Sequence, residues 1–173
     1  MASNSPNQRD LHAQVLALLN EFSSYGQIGR GGISRVTGTA EEKKARDYLC
    51  RWLINHGLTV MIDPIGNIFG ILAIGNDRNG RAFFCGSHLD SQPEAGKFDG
   101  ALGVVYACVG AKFLTKLIEN KEFAPAFDYF VVCCWTAEEG ARFQPSLIGS
   151  RVFSGELSLE DAWKLEDSSL HVA

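Results

Sequence analysis

The residues F-D-Y-F-V-V-C-C-W at positions 127–135 set the architecture of this chain. They are almost entirely apolar, which is typical of a central strand covered on both faces. Upstream, residues 100–118 predict a long helix with Asp99 as its cap, and residues 82–85 begin a shorter strand. A strand, a helix and a second strand in this order indicate an α/β sheet with a right-handed crossover. Downstream, a short helix is expected at 145–153.

The N-terminal region predicts one helix and one irregular segment. Apolar residues recur at helical spacing from Asp10 onward, and residues 1–9 before them are expected to be disordered. The glycine-rich residues 26–38 match neither the helical nor the strand period, so they form either a surface loop or a loop on the substrate side. At the other end of the chain, the acidic tail at 155–173 contains no closing element.

A second helix and a hairpin lie between these regions. Thr39 and Glu42 form a capping-box pattern at the start of the helix, and Gly57 suits its C-terminal end. Residues 58–63 and 67–74 are strand patterns separated by a short turn, which predicts a β-hairpin.

Composition excludes several classes of protein. The chain has 173 residues, of which 46% are hydrophobic and 21% charged, so it is long enough for one domain with a core and too apolar for intrinsic disorder. The net charge of −4 provides no basic surface for a nucleic acid, and we expect a small-molecule partner instead. The apolar runs are shorter than the roughly 18 to 20 residues of a membrane span, so no membrane partner is expected.

The cysteines predict a reducing compartment and hence a cytoplasmic location. Their number is odd, their spacing does not suit a metal, and three lie in apolar runs, so we expect buried thiols. A thiol nucleophile at Cys133 and Cys134 is the alternative, but no histidine lies beside them in sequence. The five are Cys50, Cys85, Cys108, Cys133 and Cys134.

Polar segments follow two of the predicted strands, at the point where each strand ends. The first is G-S-H-L-D-S-Q-P at 86–93, continuing to K-F-D-G at 97–100, and the second is W-T-A-E-E-G-A-R-F at 135–143. Open α/β sheets bind ligands at the carboxyl ends of their strands. One imidazole and four carboxylates would therefore meet in one crevice: His88, Asp90, Asp99, Glu138 and Glu139.

These side chains suit a hydrolytic metal site. Imidazole and carboxylate are ligands for Zn²⁺ or Mn²⁺, and a carboxylate can bridge two ions. Asp90 could orient the imidazole of His88 from its other side. Adjacent residues diverge in extended backbone, so one of Glu138 and Glu139 could bind metal while the other faces the attacking water.

Simpler interpretations remain open at this stage. A lone His-x-Asp is most often ordinary polarity, a Glu-Glu pair is most often a solvated turn, and Asp99 could be a plain helix cap. Among the remaining histidines, we expect His12 to face solvent and His56 to lie at a helix end, while His171 is in the tail. The pattern alone does not choose between a metal site and these alternatives.

A resemblance to a known family adds to this interpretation. Residues 86–103, G-S-H-L-D-S-Q-P-E-A-G-K-F-D-G-A-L-G, resemble the first metal motif of the amidase, hydantoinase and carbamoylase family of dinuclear metallohydrolases. Residues 135–155 resemble its second motif, and residues 31–49 and 65–70 resemble its N-terminal pattern. The family includes N-carbamoyl-L-amino-acid hydrolases, β-ureidopropionases and allantoate amidohydrolases.

The resemblance implies a fold and a set of roles. The fold is a zinc-aminopeptidase-like α/β domain, with a mixed sheet flanked by helices. His88 would bind one metal, Asp99 would bridge both, and Glu139 would bind the other. Glu138 would act as general base and Asp90 as the group that orients His88. The cofactors would be two divalent metal ions, Zn²⁺ or else Mn²⁺, Co²⁺ or Ni²⁺.

The same resemblance implies a longer enzyme that forms a homodimer. Family members carry a later H-I-E-Q-G motif, a final metal histidine and an inserted dimerisation domain, none of which occurs here. Residues 10–173 are therefore expected to be the N-terminal part of the catalytic domain, truncated before the dimerisation domain. The implied reaction is hydrolysis of a linear C–N bond in an N-carbamoyl amino acid or N-carbamoyl-β-alanine. An allantoate amidohydrolase or peptidase of the family, or a non-catalytic truncated domain, is the alternative.

Overall fold

A computed structural model describes residues 6–75, 77 and 79–167. The expectations for residues 1–5, the end of the tail and His171 lie outside this range. Five α-helices and four strands occur in the described residues, with a 3₁₀ turn at Gly29–Gly31. In chain order they are α1 (Pro6–Ser24), α2 (Ala40–Asn55), β1 (Thr59–Ile62), β2 (Ile68–Ala73), β3 (Ala82–His88), α3 (Ala101–Glu119), β4 (Tyr129–Trp135), α4 (Ile148–Ser154) and α5 (Leu159–Ala162).

The four strands form one mixed sheet in the order β1-β2-β4-β3. The predicted hairpin is confirmed, since β1 and β2 pair antiparallel. The predicted central strand is confirmed as well, because β4 lies between β2 and β3 and its middle residues are buried. β3 and β4 are parallel and are joined through α3, as the strand-helix-strand order predicts. The expectation of a mixed sheet flanked by helices is therefore correct.

The core lies between the sheet and the first three helices. Val132 and Cys134 of β4 point into it, together with Phe22 of α1 and Leu49 of α2. Alternation along β4 directs Val131 to the opposite face of the sheet, where a smaller apolar cluster forms. Both faces of β4 are thus apolar, which explains the unbroken run in the sequence.

Helix α3 corrects one expectation about apolar length. It is 19 residues long and contains an 18-residue window with a mean hydropathy of 1.6, which by length and composition is enough to cross a membrane. The lysines at positions 112 and 116 interrupt the apolar run, so no run in the sequence reaches this length. Residues such as Val104, Val105 and Cys108 are buried in the core between the helices and the sheet. A core helix of a globular domain has the same properties.

The start of α3 also differs from expectation. Asp99 does not cap the helix: Gly100 is the N-cap residue, with φ of 63°, and no side chain caps it. A Cβ on Gly100 would lie 2.5 Å from the His88 ring, so only glycine allows this close approach. Asp99 is thereby placed one residue before the cap, with its carboxylate free to face His88.

Three other features differ from expectation: two element boundaries and one additional helix. α1 begins at Pro6 rather than Asp10. β3 continues to His88 rather than ending at residue 85, because its polar residues pair with the end of β4. The tail contains a short helix, α5, which Ser158 caps. By contrast, the cap at Thr39 is confirmed, since its hydroxyl accepts a hydrogen bond from the Glu42 amide.

Candidate metal centre

The two polar segments meet because their strands are parallel neighbours. His88 ends β3 and lies opposite Trp135, which ends β4. The residues that follow both strands therefore reach the same edge of the sheet, where open α/β folds place their ligands. Glu138 and Glu139 follow Trp135 by three and four residues.

His88 is the centre of the cluster. Its side chain is buried, and its Nε2 atom lies 3.3 Å from a Glu138 carboxylate oxygen and 3.7 Å from an Asp99 oxygen. On the other side of the ring, Nδ1 lies 3.0 Å from the backbone carbonyl oxygen of Asp90. The Asp90 carboxylate is farther from Nδ1, at 3.5 Å. The backbone of Asp90, more than its side chain, therefore orients the imidazole.

Three of the five candidate side chains have the spacing of a metal-binding group. His88, Glu138 and Glu139 each offer one ligand atom, and these atoms lie within 4.8 Å of one another. Asp99 is outside this group, and its side chain is 72% exposed. Asp90 is also outside this group, because its carboxylate lies 3.5 Å from Nδ1, on the other side of the His88 ring.

The expectation that Glu138 and Glu139 diverge is wrong. It assumed extended backbone, but Ala137 has φ of 51° and Gly140 has φ of 66°. The chain bends on both sides of the glutamate pair, and both carboxylates turn toward His88. The sequence shows the glycine, but nothing in it indicates left-handed backbone at an alanine.

Asp90 connects the two polar segments. One of its carboxylate oxygens accepts hydrogen bonds from the Thr37 hydroxyl at 2.9 Å and from the Glu139 amide at 3.2 Å. The other oxygen is buried and has no hydrogen-bond partner. A single buried carboxylate therefore lies under His88 and also holds the backbone of Glu139.

The charges of the cluster shift its pKa values. Burial opposes protonation of His88, but the Asp90 and Glu138 carboxylates outweigh that effect and raise the pKa of His88 to about 9. Burial raises the pKa of Glu138, while His88 opposes the rise. Burial also disfavours the ionised form of Asp90, yet the nearby His88 imidazole and the hydrogen bonds from the Glu139 amide and Thr37 lower its pKa. The carboxylates around His88 therefore favour a positive charge within this cluster.

The glycine-rich loop holds the segment that contains Asp90, a role that its sequence does not indicate. Arg35 is fully buried, and its side chain donates to the carbonyl of Leu89 and, at 2.6 Å, to that of Phe22. Its backbone amide donates to the Ser91 hydroxyl at 2.8 Å, and its carbonyl accepts from the Ser91 amide at 3.0 Å. The loop therefore fixes the residues on both sides of Asp90. An arginine among glycines was the only signal in the sequence.

Gln92 is a second residue that supports the site without any signal in the sequence. Its side-chain amide donates to the Glu139 carbonyl at 2.8 Å and to the Glu139 carboxylate at 3.1 Å. It lies in the first polar segment and contacts the second, which sequence alone could not show.

The other candidates have the simple roles expected of them. His12 is exposed. His56 is the C-cap residue of α2, and its ring stacks on Trp52. Cys133 and Cys134 are buried free thiols, and burial raises the pKa of Cys133 to about 11 and that of Cys134 to about 12. A thiol nucleophile at this pair is therefore disfavoured.

Comparison with known proteins shows which proteins this chain is similar to. A Mycolicibacterium smegmatis protein named only as a hydrolase is 44% identical over 147 residues, which are 85% of this chain and 33% of that protein. N-carbamoyl-L-amino-acid amidohydrolase of Rhizobium meliloti is 34% identical over 96% of this chain and 39% of its own length. A solved hydantoinase/carbamoylase family amidase from Burkholderia ambifaria has a TM-score of 0.82 and 34% identity, covering 93% of this chain and 39% of its own. No family model matches the chain.

The fold and the clustered side chains thus define an α/β domain with a candidate metal site at the carboxyl ends of two parallel strands. The chain is homologous to part of the hydantoinase/carbamoylase family amidases, as its motifs predict. Further relatives at 31 to 34% identity are named allantoate deiminase or ureidoglycolate hydrolase. The chain spans about a third of the length of the curated relatives it matches.

Proposed function

We propose that this chain is part of a longer, metal-dependent amidohydrolase that cleaves a linear C–N bond of a ureido group. The observation that carries the proposal is the convergence of His88, Glu138 and Glu139 at the carboxyl ends of two parallel strands. The family relationship supports the same reaction class.

The side chains at this edge fit a divalent metal. Imidazole nitrogen and carboxylate oxygen both bind zinc, and a catalytic zinc usually has three protein ligands. The Nδ1 atom of His88 is held by the Asp90 carbonyl, so Nε2 is the atom turned toward the carboxylates. A histidine fixed through its second nitrogen is the usual arrangement in metal sites. Asp99, 3.7 Å from Nε2, is the proposed bridging ligand for a second ion.

Different roles for the two glutamates follow from the resemblance. We assign Glu139 to metal binding, since its backbone and side chain are both held in place, by Asp90 and Gln92. Glu138 is the proposed general base: its carboxylate is partly exposed, and burial and the nearby acidic groups raise its pKa. A base with a raised pKa accepts a proton more effectively near neutral pH. The chemistry that a divalent metal supplies when bound is polarisation of the substrate carbonyl and acidification of a water molecule.

N-carbamoyl amino acids are the proposed substrates. The relatives are named for N-carbamoyl amino acids, ureidoglycolate or allantoate, and all three compounds contain a ureido group. The S-Q-P sequence after His-Leu-Asp favours the carbamoylases and β-ureidopropionases over the allantoate enzymes. Allantoate remains the second candidate substrate.

The activity belongs to the longer protein in this proposal. Among the described residues the proposed ligands are His88, Asp99 and Glu139, and two ions need more, so we expect the 173 residues alone to be inactive. A homodimer and a cytoplasmic location are proposed for the longer protein. The five free cysteines support a reducing compartment.

Product release from a panel of substrates tests this function, measured as ammonia for the ureido compounds and as free amino acid for the dipeptide. The panel contains N-carbamoyl-L-amino acids, N-carbamoyl-β-alanine, allantoate, ureidoglycolate and a dipeptide, each assayed with the longer protein before and after treatment with a chelator. We expect the N-carbamoyl compounds to be hydrolysed, activity to disappear with the chelator, and Zn²⁺, Mn²⁺ or Co²⁺ to restore it. Full turnover by the metal-free protein would exclude the metal mechanism, and hydrolysis of the dipeptide alone would exclude the substrate class.

A further inference from the structure

The Gln92 side chain joins the two segments of the site by a direct contact. Its amide nitrogen donates to the Glu139 backbone carbonyl at 2.8 Å and to a Glu139 carboxylate oxygen at 3.1 Å. Both acceptors belong to one residue, so the amide fixes the Glu139 side chain relative to its own backbone. The hydrogen bond to the carboxylate is charge-assisted and therefore stronger than one between neutral groups.

A second contact shows that Glu139 is held from both sides. The Asp90 carboxylate accepts a hydrogen bond from the Glu139 amide at 3.2 Å. With its amide and carbonyl both bound, the backbone of Glu139 has a fixed position, and the remaining freedom is in its side chain. Gln92 removes part of that freedom, and a carboxylate oxygen of Glu139 lies within 4.8 Å of the ligand atoms of His88 and Glu138.

Another glutamine shows what an ordinary surface amide does in the same loop. Gln144 donates to the Gly140 carbonyl at 2.5 Å and stabilises only the backbone of its own turn. Gln92 differs because it reaches 47 residues along the chain and ends on a carboxylate of the cluster. Gln144 is therefore a suitable control for Gln92, because both are exposed glutamines and Gln144 bonds to a backbone carbonyl instead of a cluster carboxylate.

We propose that Gln92 is a positioning residue that orients the Glu139 carboxylate for metal binding. The inference rests on the proposed function, in which Glu139 is a ligand. Groups that hydrogen-bond to metal ligands typically contribute 10- to 100-fold to metal affinity. Because the Gln92 side chain is exposed, its replacement should not disturb the core.

A double-mutant cycle with Zn²⁺ tests the proposal. The affinity of the metal-free chain for Zn²⁺ is measured by competition with a chromophoric chelator for the wild type, Gln92→Met, Glu139→Ala and the double variant. Methionine matches glutamine in length but cannot donate a hydrogen bond. We expect Gln92→Met to weaken binding by about 10-fold. In the Glu139→Ala background, the same change should have almost no effect, because the carboxylate it orients is gone.

The control is Gln144→Met, which should retain wild-type affinity for Zn²⁺. Thermal unfolding of the metal-free variants should give the same midpoint for Gln92→Met and Gln144→Met, since neither side chain is in the core. If Glu139→Ala weakens binding but Gln92→Met does not, or if Gln92→Met weakens it equally in both backgrounds, the inference is wrong and the proposed site survives. If Glu139→Ala binds Zn²⁺ as the wild type does, the ligand assignment fails and the inference fails with it.

Discussion

Asp90 shows how a single buried side chain can serve two parts of a site. Its carbonyl holds His88, and its carboxylate holds the Glu139 amide, while the Thr37 hydroxyl fixes the carboxylate from a third segment. The residue types at positions 88 and 90 predict that the Asp90 carboxylate orients His88, whereas the backbone carbonyl makes the closer contact. Thr37 and the Glu139 amide could not be predicted, because both depend on how distant segments fold together.

Replacing each of the two glutamates in the longer enzyme is expected to change metal content and activity differently. Glu139→Ala removes a proposed ligand, so bound metal should fall and activity should fall with it. Glu138→Gln keeps the shape of the side chain but cannot accept a proton, so metal content should stay near normal. General-base catalysis contributes roughly 10² to 10⁴ in rate, and a loss of that order in kcat is expected.

Elemental analysis beside kcat distinguishes the outcomes for this pair. Loss of metal in Glu138→Gln together with retention in Glu139→Ala would mean that the two roles are exchanged. If both variants keep their metal and their activity, the glutamates are solvated turn residues and the assignment is wrong.

The cysteines give a prediction that does not depend on the metal. Cys108 and Cys134 are buried in the core, and burial raises the pKa of both thiols. Cys50 and Cys85 are only partly buried. A thiol reagent should therefore label Cys50 and Cys85 well before Cys108 and Cys134 in the native protein, because the thiolate is the reactive form. Mass spectrometry of timed samples locates the labels, with the unfolded chain as the control that reacts at every cysteine. Equally fast labelling of Cys134 would contradict the packing described above.

At the scale of the elements, local signals predicted most of the fold. The hairpin, β4 and α3 follow from strand and helix periods that each lie within one segment. The boundaries that differed depend on partners elsewhere in the chain. β3 reaches His88 because its polar end pairs with β4, and α3 starts after Asp99 because Gly100 passes close to the His88 ring.

The β3–β4 pairing gives a prediction at this scale. A Cβ on Gly86 would lie 1.8 Å from the carbonyl oxygen of Cys133, its partner in β4. Gly86→Ala should therefore push the strands apart and lower the free energy of unfolding by at least about 2 kcal/mol. Urea unfolding measures the loss. Gly96→Ala is the matched control, because a Cβ there would contact nothing within 4 Å. Equal stability of the two variants would contradict the register of β3 against β4.

For the whole molecule, the two faces of the sheet are unequally covered. Helices α1 to α3 cover one face, whereas the other has Phe153 of α4 packed against Phe69, Phe84 and Trp135. Phe84 and Phe153 remain 45% and 52% exposed. β3 also ends the sheet, with no strand beyond it among the described residues. Exposed aromatic side chains beside an open strand edge favour association.

We therefore expect the 173-residue chain to self-associate and to bind a hydrophobic dye. Light scattering after size-exclusion chromatography should show an apparent mass that rises with protein concentration. Phe84→Lys places a charge on this face and should shift the distribution toward monomer. Phe98→Lys is the matched control, because Phe98 is also exposed but lies outside the sheet, between β3 and α3, and its replacement should have no such effect. A monomer at all concentrations, without dye binding, would contradict the expectation.

Two features of the sequence predicted the chemistry of the site: the residue types at the strand ends and the family resemblance. Strand ends and residue types predicted that His88 and the glutamates converge, which the parallel pairing of β3 and β4 explains. The separate roles of Glu138, Glu139 and Asp99 came from the family resemblance, since adjacent carboxylates are chemically alike. The supporting contacts of Arg35 and Gln92 required the folded chain, because each joins segments far apart in sequence.

The most direct test of the central claim is a Co²⁺ titration of the metal-free chain, followed by visible absorption. If His88, Glu138 and Glu139 form a metal centre, the wild type should develop the absorption bands of bound Co²⁺ and saturate at a defined stoichiometry. His88→Ala should abolish those bands, since it removes the central donor of the cluster. The control is His56→Ala, whose ring stacks on Trp52 at the end of α2 and should not affect binding. Absence of Co²⁺ bands in the wild type, or equal bands in His88→Ala, would contradict the account.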